Sequence, residues 1–299
     1  MTSQRPLRLG ARPDPLARWR AAHLSAILGE QGIAAELVPL EPQADTPDED
    51  LLRAIVTKQI DLAVHALEEL PVALPRGLAI VAVGGREDPR DAIVGHEPVD
   101  WLELPSGATI AASGARRRGQ LLAARPDLDV VDVGGALPDR IARLDATPGW
   151  AALVATLANL LRLGLSDRVS DRLDPMLVVP APGQGALVVT ARRGDMRLLA
   201  PLRAAMHDPA TAVATAAERA FLRELGGDTR RPVAAYAIRD ETSGGLRLHG
   251  RVVTTDGTAV AEAVHLGPVA DGDESAAEAL GVAAAHDVRA RGAEAILEH

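Results

Sequence analysis

The sequence predicts an α/β protein built from two similar doubly wound units and a smaller α+β tail. Short apolar runs of strand length alternate with helical segments from the N-terminus onward, and this alternation favours a parallel sheet flanked by helices. The alternation begins afresh near residue 108, which indicates a second unit of the same kind. After Gly226 and Gly227, strand patterns follow one another with no helix between them, as in an antiparallel sheet.

The first unit begins with a strand at residues 7–10 and a helix at residues 14–32. Asp14 is the predicted N-cap of that helix, because Pro15 after it suits the first helical position. Apolar residues recur at helical spacing within the segment. The segments that follow are predicted, in order, as a strand, a proline-containing loop, a short helix and two strands: 34–40, 41–48, 51–59, 61–65 and 78–83.

The second unit and the tail are divided by the same criteria of periodicity and length. The predicted strands are 108–112, 130–131, 177–179, 186–189, 233–238, 246–254 and 260–266. The predicted helices are 115–124, 138–144, 211–224 and 275–291. Residues 150–163 form an apolar segment of undecided type, and residues 180–185 form a crossing loop between strands.

The composition is that of a globular protein with large aliphatic cores, since 47% of the 299 residues are hydrophobic, 24% charged and only 2% aromatic. The formal net charge of −9 argues against a nucleic-acid-binding protein, which would ordinarily be basic. No apolar run reaches membrane-spanning length, and residues 1–6 lack the apolar stretch of a secretory signal, so we expect a cytoplasmic protein. The chain has no cysteine, which excludes disulfides, thiolate metal sites and a cysteine nucleophile.

Arginines gather near the points where predicted strands pass into predicted helices. They are Arg12, Arg116, Arg117, Arg118, Arg140 and Arg162. Guanidinium groups bind carboxylates in a bidentate manner, and helix N-termini favour anions, so this set predicts a ligand with several carboxylates. A single arginine is ordinarily a solvated charge, and the pair at the predicted helix start gives the stronger signal.

A second group of reactive side chains follows the predicted strand 61–65. His65 ends that strand, and Glu68 and Glu69 come shortly after it. A carboxylate at the mouth of a cleft suits general acid–base chemistry. Such a trio is more often a pair of surface charges beside a histidine whose hydrogen bonds are all made within the protein. The sequence contains none of the metal-ligand, nucleophile-elbow or phosphate-loop motifs that carry a mechanism of their own.

The chain resembles the porphobilinogen deaminase family, also called hydroxymethylbilane synthases, over nearly its whole length. The most specific match is Arg86-Glu87-Asp88-Pro89-Arg90-Asp91-Ala92. Supporting matches lie at residues 11–12 with 15–17, 61–65, 113 with 116–117, 125–128, 162–165, 180–181, 183–186 and 218–220. On these segments the chain is identified as a divergent member of the family.

The resemblance implies two α/β domains like those of periplasmic binding proteins, joined by crossing segments, and a small C-terminal α+β domain. The expected domains are residues 1–85 with 186–204, residues 86–185, and residues 205–299. The resemblance also implies a transferase of tetrapyrrole (porphyrin) biosynthesis, which condenses porphobilinogen head to tail into hydroxymethylbilane and releases ammonia. Family members are typically monomers, and their product grows on a dipyrromethane cofactor held by a cysteine thioether.

Residue by residue, the resemblance assigns the binding of cofactor and substrate carboxylates to Arg12, Ser113, Arg116, Arg117, Arg140 and Arg162. Thr229 falls at the position of the cofactor cysteine, so a thioether is not expected to form there. Glu69 falls at the position of the catalytic aspartate, and Glu68 at that of the lysine before it. Gly134 replaces a family arginine, and the acidic residues 41–50 replace a loop rich in lysine and glycine.

Three functions remain open at this point. The first is an active porphobilinogen deaminase with an ether-linked or non-covalently held primer. The second is a catalytically inactive paralogue that binds a pyrrole, a bilane or another polycarboxylate as ligand or regulator. The third is an enzyme acting on a different acidic substrate. All three predict an acidic small molecule as partner and predict neither nucleic acid nor membrane.

Overall fold

The computed structural model describes residues 5–41, 43, 47–196 and 199–298, with Pro47 described in its backbone alone. Contacts divide the chain into two compact units. The first unit comprises Met1–Arg86 and Ala186–Ala212, and the second comprises Glu87–Gly185 and Val213–His299. The division therefore groups the tail with the second α/β unit, and the separate third domain from residue 205 stays a prediction.

The described residues form β-strands and α-helices that are numbered here in chain order. The strands are β1 (Leu7–Ala11), β2 (Ala35–Pro39), β3 (Leu62–Ala66), β4 (Leu78–Val83), β5 (Asp91–Gly95), β6 (Thr109–Ala112), β7 (Asp129–Asp132), β8 (Trp150–Thr156), β9 (Val169–Arg172), β10 (Leu187–Arg192), β11 (Val233–Arg239), β12 (Leu246–Val253) and β13 (Val260–Gly267). The helices are α1 (Pro15–Glu30), α2 (Pro47–Val56), α3 (Ala115–Ala124), α4 (Leu137–Ala146), α5 (Leu157–Arg162), α6 (Ala200–Met206), α7 (Pro209–Glu224), α8 (Glu274–Ala290) and α9 (Ala293–Leu297).

Most predicted elements are confirmed to within a few residues, and the exceptions have physical reasons. Residues 177–179, predicted as a strand, form the end of a turn and a short irregular segment. The backbone N–H of Val179 donates to Oε1 of Gln120 at 2.9 Å, so this apolar run is buried without joining a sheet. The apolar segment 150–163 divides into β8 and α5, and β5, β9, α6 and α9 were not predicted.

Helix α2 starts four residues earlier than residue 51, inside a stretch predicted as loop. Its first turn carries Asp48, Glu49 and Asp50, which complement the positive end of the helix dipole. The helix ends before Lys58, whose φ of 62° is left-handed and cannot continue it. Part of the predicted loop, at residues 42 and 44–46, lies outside the described residues.

The sheet of the first unit is mixed, in the order β2-β1-β3-β10-β4. Strand β1 is parallel to β2 and β3, but β10 is antiparallel to both β3 and β4. The predicted all-parallel sheet is therefore wrong. The reason is that β10 consists of chain that re-enters this unit at Ala186, after the second unit, and runs against its neighbours.

The second unit contains a mixed sheet of the same size, in the order β7-β6-β8-β5-β9. Strand β6 is parallel to β7 and β8, whereas β5 is antiparallel to β8 and β9. Strand β5 is the first strand after the chain leaves the first unit at Arg86. In both units, therefore, the antiparallel strand follows directly on a crossing of the chain. The predicted α/β class with crossing segments is confirmed.

Helices cover both faces of the first sheet, and strand alternation decides which side chain meets which helix. Leu62 and Val64 on β3 share a buried cluster with Leu24 of α1. Ala63 shares the opposite cluster with Ile55 of α2. His65, two residues after Ala63, accordingly lies on the α2 face.

The tail is an antiparallel sheet in the order β11-β12-β13, with α8 packed on it, as predicted. Helix α3 also packs on β12 at very short range. A Cβ on Gly119 of α3 would lie 2.4 Å from the carbonyl oxygen of Thr254, and one on Gly257 would lie 2.4 Å from the backbone nitrogen of Ala123. The helix that carries Arg116 and Arg117 is thus held against the tail. Within the described part of the chain, no helix is both long and apolar enough to cross a membrane.

Candidate functional site

In the first unit, the predicted site residues lie where β1 and β3 end. Arg12 directly follows β1, and Glu68 and Glu69 come just after β3. Because these strands are parallel neighbours, their carboxyl ends meet at one edge of the sheet. The structure therefore brings Arg12 and Glu69 to a common edge.

Arg12 is bound to a carboxylate of its own unit. Its Nη1 donates to Oδ2 of Asp50, in the first turn of α2. The Asp50 side chain is 2% exposed and that of Arg12 11%, so the pair is largely shielded from water. Asp50 also accepts hydrogen bonds from Arg53 and from the backbone N–H of Gln43. One carboxylate thus fixes the start of α2 and holds the arginine.

Glu69 is also paired within the first unit, to an arginine that the sequence analysis did not single out. The buried Arg20 of α1 donates from Nη1 to Oε2 of Glu69 at 3.2 Å, while the Glu69 side chain is 46% exposed. Burial lowers the pKa of Arg20, but the carboxylates around it, Glu69 foremost, raise it above its ordinary value. Its burial could have been predicted from its spacing, because Arg20 lies four residues before the buried Leu24 and therefore on the same face of the helix.

His65 is a buried link between α2 and the sheet. Its Nδ1 contacts Oδ1 of Asp48, and its Nε2 lies 2.8 Å from Oγ1 of Thr190 on β10. All three side chains are buried. Both ring nitrogens have a hydrogen-bond partner, so this histidine holds α2 against the sheet and does not face a ligand.

In the second unit, Arg116 and Arg117 converge on one carboxylate. Arg116 donates to Oδ2 of Asp91 at 2.7 Å, and Arg117 donates from Nε and Nη2 to Oδ1 at 3.0 and 2.9 Å. Asp91 is fully buried, the Arg116 side chain is 9% exposed and that of Arg117 15%. Burial raises the pKa of Asp91, but the two guanidinium groups outweigh this effect and hold its pKa below the ordinary value.

Gln184 and nearby carbonyl groups complete this buried network. Gln184 donates to Asp91 at 3.0 Å and to the carbonyl of Pro89 at 2.6 Å, and it accepts from Arg116 at 3.1 Å. Arg116 further donates to the carbonyl of Val179 at 2.7 Å. Arg116 therefore joins β5 to the crossing loop 180–185, and its contacts within the chain are mainly structural.

Arg162 stabilises the segments that enter and leave the second unit. Its side chain is 1% exposed and donates to the carbonyl of Gly185 at 2.8 Å and to Glu87 at 3.3 Å. The backbone N–H of Glu87 also donates to the carbonyl of Gly185 at 3.3 Å. Gly185 has a φ of +89°, and a Cβ there would lie 2.6 Å from the Glu87 carbonyl oxygen, so only glycine fits.

The remaining predicted binding positions are more open. Ser113 is half-buried, and its carbonyl accepts from Arg117 at 3.2 Å, which places it beside the arginine pair. Arg140 is half-buried in the first turns of α4. Gly134, where the family has an arginine, is exposed and faces open space. A cationic side chain is therefore missing at a position that would have room for one.

Thr229, at the expected attachment position, lies exposed in the turn after α7. The neighbouring carboxylate, Asp228, accepts from Arg230 through both side-chain and backbone N–H groups. Hydrogen bonds from Arg230 hold the pKa of Asp228 below its ordinary value, so it is a weak base for the threonine hydroxyl. With no cysteine in the chain, these residues do not fit a thioether-linked dipyrromethane. Within the described ranges, no cluster of side chains is suited to hold a metal ion.

Comparisons with known proteins agree with the sequence resemblance. Residues 7–200 match the family model "Porphobilinogen deaminase, dipyromethane cofactor binding domain", and residues 212–290 match "Porphobilinogen deaminase, C-terminal domain". A porphobilinogen deaminase of Thermus thermophilus is 42% identical over 83% of this chain and 80% of its own length. The porphobilinogen deaminases of Syntrophotalea carbinolica and Moorella thermoacetica are each 37% identical, over 99% and 98% of this chain and 96% of their own length.

The solved structures to which the chain is similar match it in part and at low sequence identity. A putative methionine-binding lipoprotein of Bacillus subtilis is 12% identical with a TM-score of 0.44, over 69% of this chain and 92% of its own. The VFT2 domain of Bordetella pertussis BvgS is 20% identical with a TM-score of 0.45, over 67% of this chain and 85% of its own. This likeness concerns the fold alone.

Proposed function

The chain belongs to the porphobilinogen deaminase family, and from this membership we propose that it binds an acidic pyrrole of tetrapyrrole metabolism without building a product on a covalently held primer. The observation that carries the proposal is the turn at Thr229, which has a hydroxyl in place of a thiol and a poor base beside it. A threonine hydroxyl is far less acidic than a thiol and needs an adjacent base to become a nucleophile.

Support for carboxylate binding comes from the second unit. Arg116 and Arg117 share the single carboxylate of Asp91, and Arg162 is paired with Glu87, so three arginines lie in this unit at positions that the family uses for carboxylates. Arg117 lies in the first turn of α3, where backbone N–H groups have no intrahelical acceptor and the helix dipole favours an anion. A ligand carboxylate at this helix start would be held by those N–H groups and by the partly exposed guanidinium of Arg117.

A condensing enzyme is the second candidate, and one observation favours it. Glu69 keeps a carboxyl group at the family's catalytic position, and its side chain is nearly half exposed on the edge of the sheet. A glutamate is one methylene longer than an aspartate, which displaces a proton donor that must lie within hydrogen-bond reach of its target. We therefore rank this candidate below the binding protein.

The deciding experiment is to incubate the purified protein with porphobilinogen, denature it and measure its intact mass, with binding measured by calorimetry on the native protein. We expect an unchanged mass and saturable binding that weakens at least about tenfold in Arg117→Gln. Arg291→Gln, which removes an exposed arginine of the tail, is the matched control and is expected to bind normally.

A covalent increment of pyrrole units together with accumulating bilane would establish the condensing enzyme instead. Absence of any porphobilinogen binding, or equal binding by the Arg117→Gln variant, would contradict the proposed ligand class. We further expect a monomeric, cytoplasmic protein, which sedimentation and cell fractionation would test.

A further inference from the structure

The edge of the first unit where β1 and β3 end has its arginines paired internally. Arg12 is bound to Asp50, and Arg20 is bound to Glu69. Both pairs join a residue at or near the sheet edge to one from a neighbouring helix. A ligand carboxylate arriving at this edge therefore meets guanidinium groups that already hold an anion.

Formal charge at this edge favours the carboxylates. The arginines there are Arg12, Arg20 and Arg53, and the acidic side chains around them are Asp14, Asp48, Asp50, Glu68 and Glu69. Glu69, Glu68, Asp48 and Asp14 all act on Arg20 through their charges. Among the residues that the structure describes, this edge therefore has no surplus of positive charge to attract a polyanion.

Arg12 and Arg20 each have one N–H group without an acceptor among the described residues. Arg12 donates to Asp50 through Nη1, whereas its Nε is buried without an acceptor among the described residues. Arg20 likewise donates through Nη1 and has a buried Nε without an acceptor in the described part of the chain. A carboxylate bound side-on to the guanidinium would use such an Nε together with one Nη, and buried donors left unpaired are uncommon in proteins.

We propose that Asp50 and Glu69 are specificity-determining residues, internal counter-ions of Arg12 and Arg20 that reduce the number of ligand carboxylates the first unit accepts. The inference rests on the proposed function, since it specifies which acidic pyrrole this edge tolerates. A single pyrrole whose carboxylates are partly balanced by its own ammonium group is accepted, and an oligopyrrole polyanion is disfavoured. Removing either counter-ion opens an arginine to an external carboxylate.

The test uses citrate as a simple tricarboxylate probe and the full chain, with affinity measured by calorimetry at low salt. Asp50→Asn keeps the shape of the side chain and an acceptor for the Gln43 N–H, so it primarily removes charge. We expect its citrate dissociation constant to fall at least about tenfold relative to the wild type. Asp195→Asn removes the same charge from a partly exposed pair of the same unit and is expected to change affinity less than about twofold.

Reversal by a second substitution identifies the arginine. Adding Arg12→Gln to Asp50→Asn is expected to return citrate affinity to the wild-type value. Glu69→Gln is the independent arm because its exposed side chain can be changed without opening the core, and Arg20→Gln is expected to cancel its gain. Circular dichroism checks that each variant is folded, and if Asp50→Asn is not, the Glu69 arm decides.

The inference is overturned if neither variant binds citrate better than Asp195→Asn does, or if the gain persists after the arginine is removed. These outcomes do not depend on pyrrole binding. Failure of the wild type to bind porphobilinogen would reject the proposed function while leaving the citrate result to decide the role of the counter-ions.

Discussion

Asp91→Asn is expected to destabilise the second unit strongly, whereas Asp88→Asn in the same segment is not. Asp91 is fully buried and accepts hydrogen bonds from Arg116, Arg117 and Gln184. Asparagine keeps the shape of the side chain but removes its charge. Two guanidinium groups, of which Arg116 is almost completely buried, then lose the negative charge that they share.

The magnitude follows from the burial of these partners. Removing one member of a buried ion pair costs about 3–5 kcal/mol, because the other charge stays desolvated. The amide oxygen of asparagine still accepts one N–H group, which offsets about 1 kcal/mol. We therefore expect Asp91→Asn to lower the free energy of unfolding by about 3 kcal/mol. Asp88 and Arg90 are 28% and 34% exposed, so Asp88→Asn is expected to cost less than about 1 kcal/mol.

Urea unfolding followed by tryptophan fluorescence is the appropriate assay. Trp101 and Trp150 lie in the second unit and Trp19 in the first, so a Trp19→Phe background confines the signal to the unit that contains Asp91. Similar urea dependence in all variants is the control that only stability has changed. Agreement between fluorescence and far-UV circular dichroism would support a single transition for this unit.

The pH dependence provides a second check. Because the pKa of Asp91 is lowered in the folded chain, its stabilising contribution is complete above the ordinary carboxyl pKa of about 4 and is lost as the pH falls below it. The gap between the wild type and Asp91→Asn should therefore be constant from about pH 6 to 8 and should shrink in acid. A loss no larger than that of Asp88→Asn, or a gap that does not change with pH, would refute the reasoning.

Three further predictions concern the packing and charge of the second unit. Gly257→Val should lower the free energy of unfolding by more than about 2 kcal/mol, because residue 257 has a φ of 75° and a Cβ there meets the backbone of α3. A urea unfolding curve equal to that of the wild type would contradict this. Arg162→Met should cost about 2–4 kcal/mol, since the buried carbonyl of Gly185 loses its 2.8 Å bond to the guanidinium and keeps only the longer one from the Glu87 N–H, and Arg291→Met on the surface is the control. Burial lowers the pKa of His249 in the folded chain, so the unfolded chain binds more protons and the free energy of unfolding should rise with pH up to about 7. His249→Gln should flatten that rise, and an unchanged slope would exclude His249 as its source.

The regular elements were predictable where local patterns determine them. The strand at β4 and the helix α3 match the predicted ranges, because apolar periodicity over several residues reflects which side of an element is buried. The error at residues 177–179 has the complementary cause. An apolar run shows that a segment is buried, but pairing with a neighbouring strand decides whether it becomes part of a sheet.

The candidate site was predictable in its residue types but not in its pairings. Arg12, Arg116 and Arg117 stand out from their positions after strands and at a helix start. Asp50 lies 38 residues from Arg12, and Asp91 lies 25 residues from Arg116 and 26 from Arg117. No local pattern in the sequence connects residues that far apart. Arg20 was missed for a related reason, since a single arginine within an apolar helix is ordinarily a surface charge.

By itself, the sequence determined the α/β class, the family and the lack of a thiol anchor, because these depend on residue identity and on short-range periodicity. The tertiary structure decided that β5 and β10 run antiparallel and that carboxylates of the chain occupy its arginines. Strand direction depends on where the chain crosses between units, and an ion pair depends on the distance between atoms far apart in sequence. Both are long-range properties that form only when the sheets are assembled.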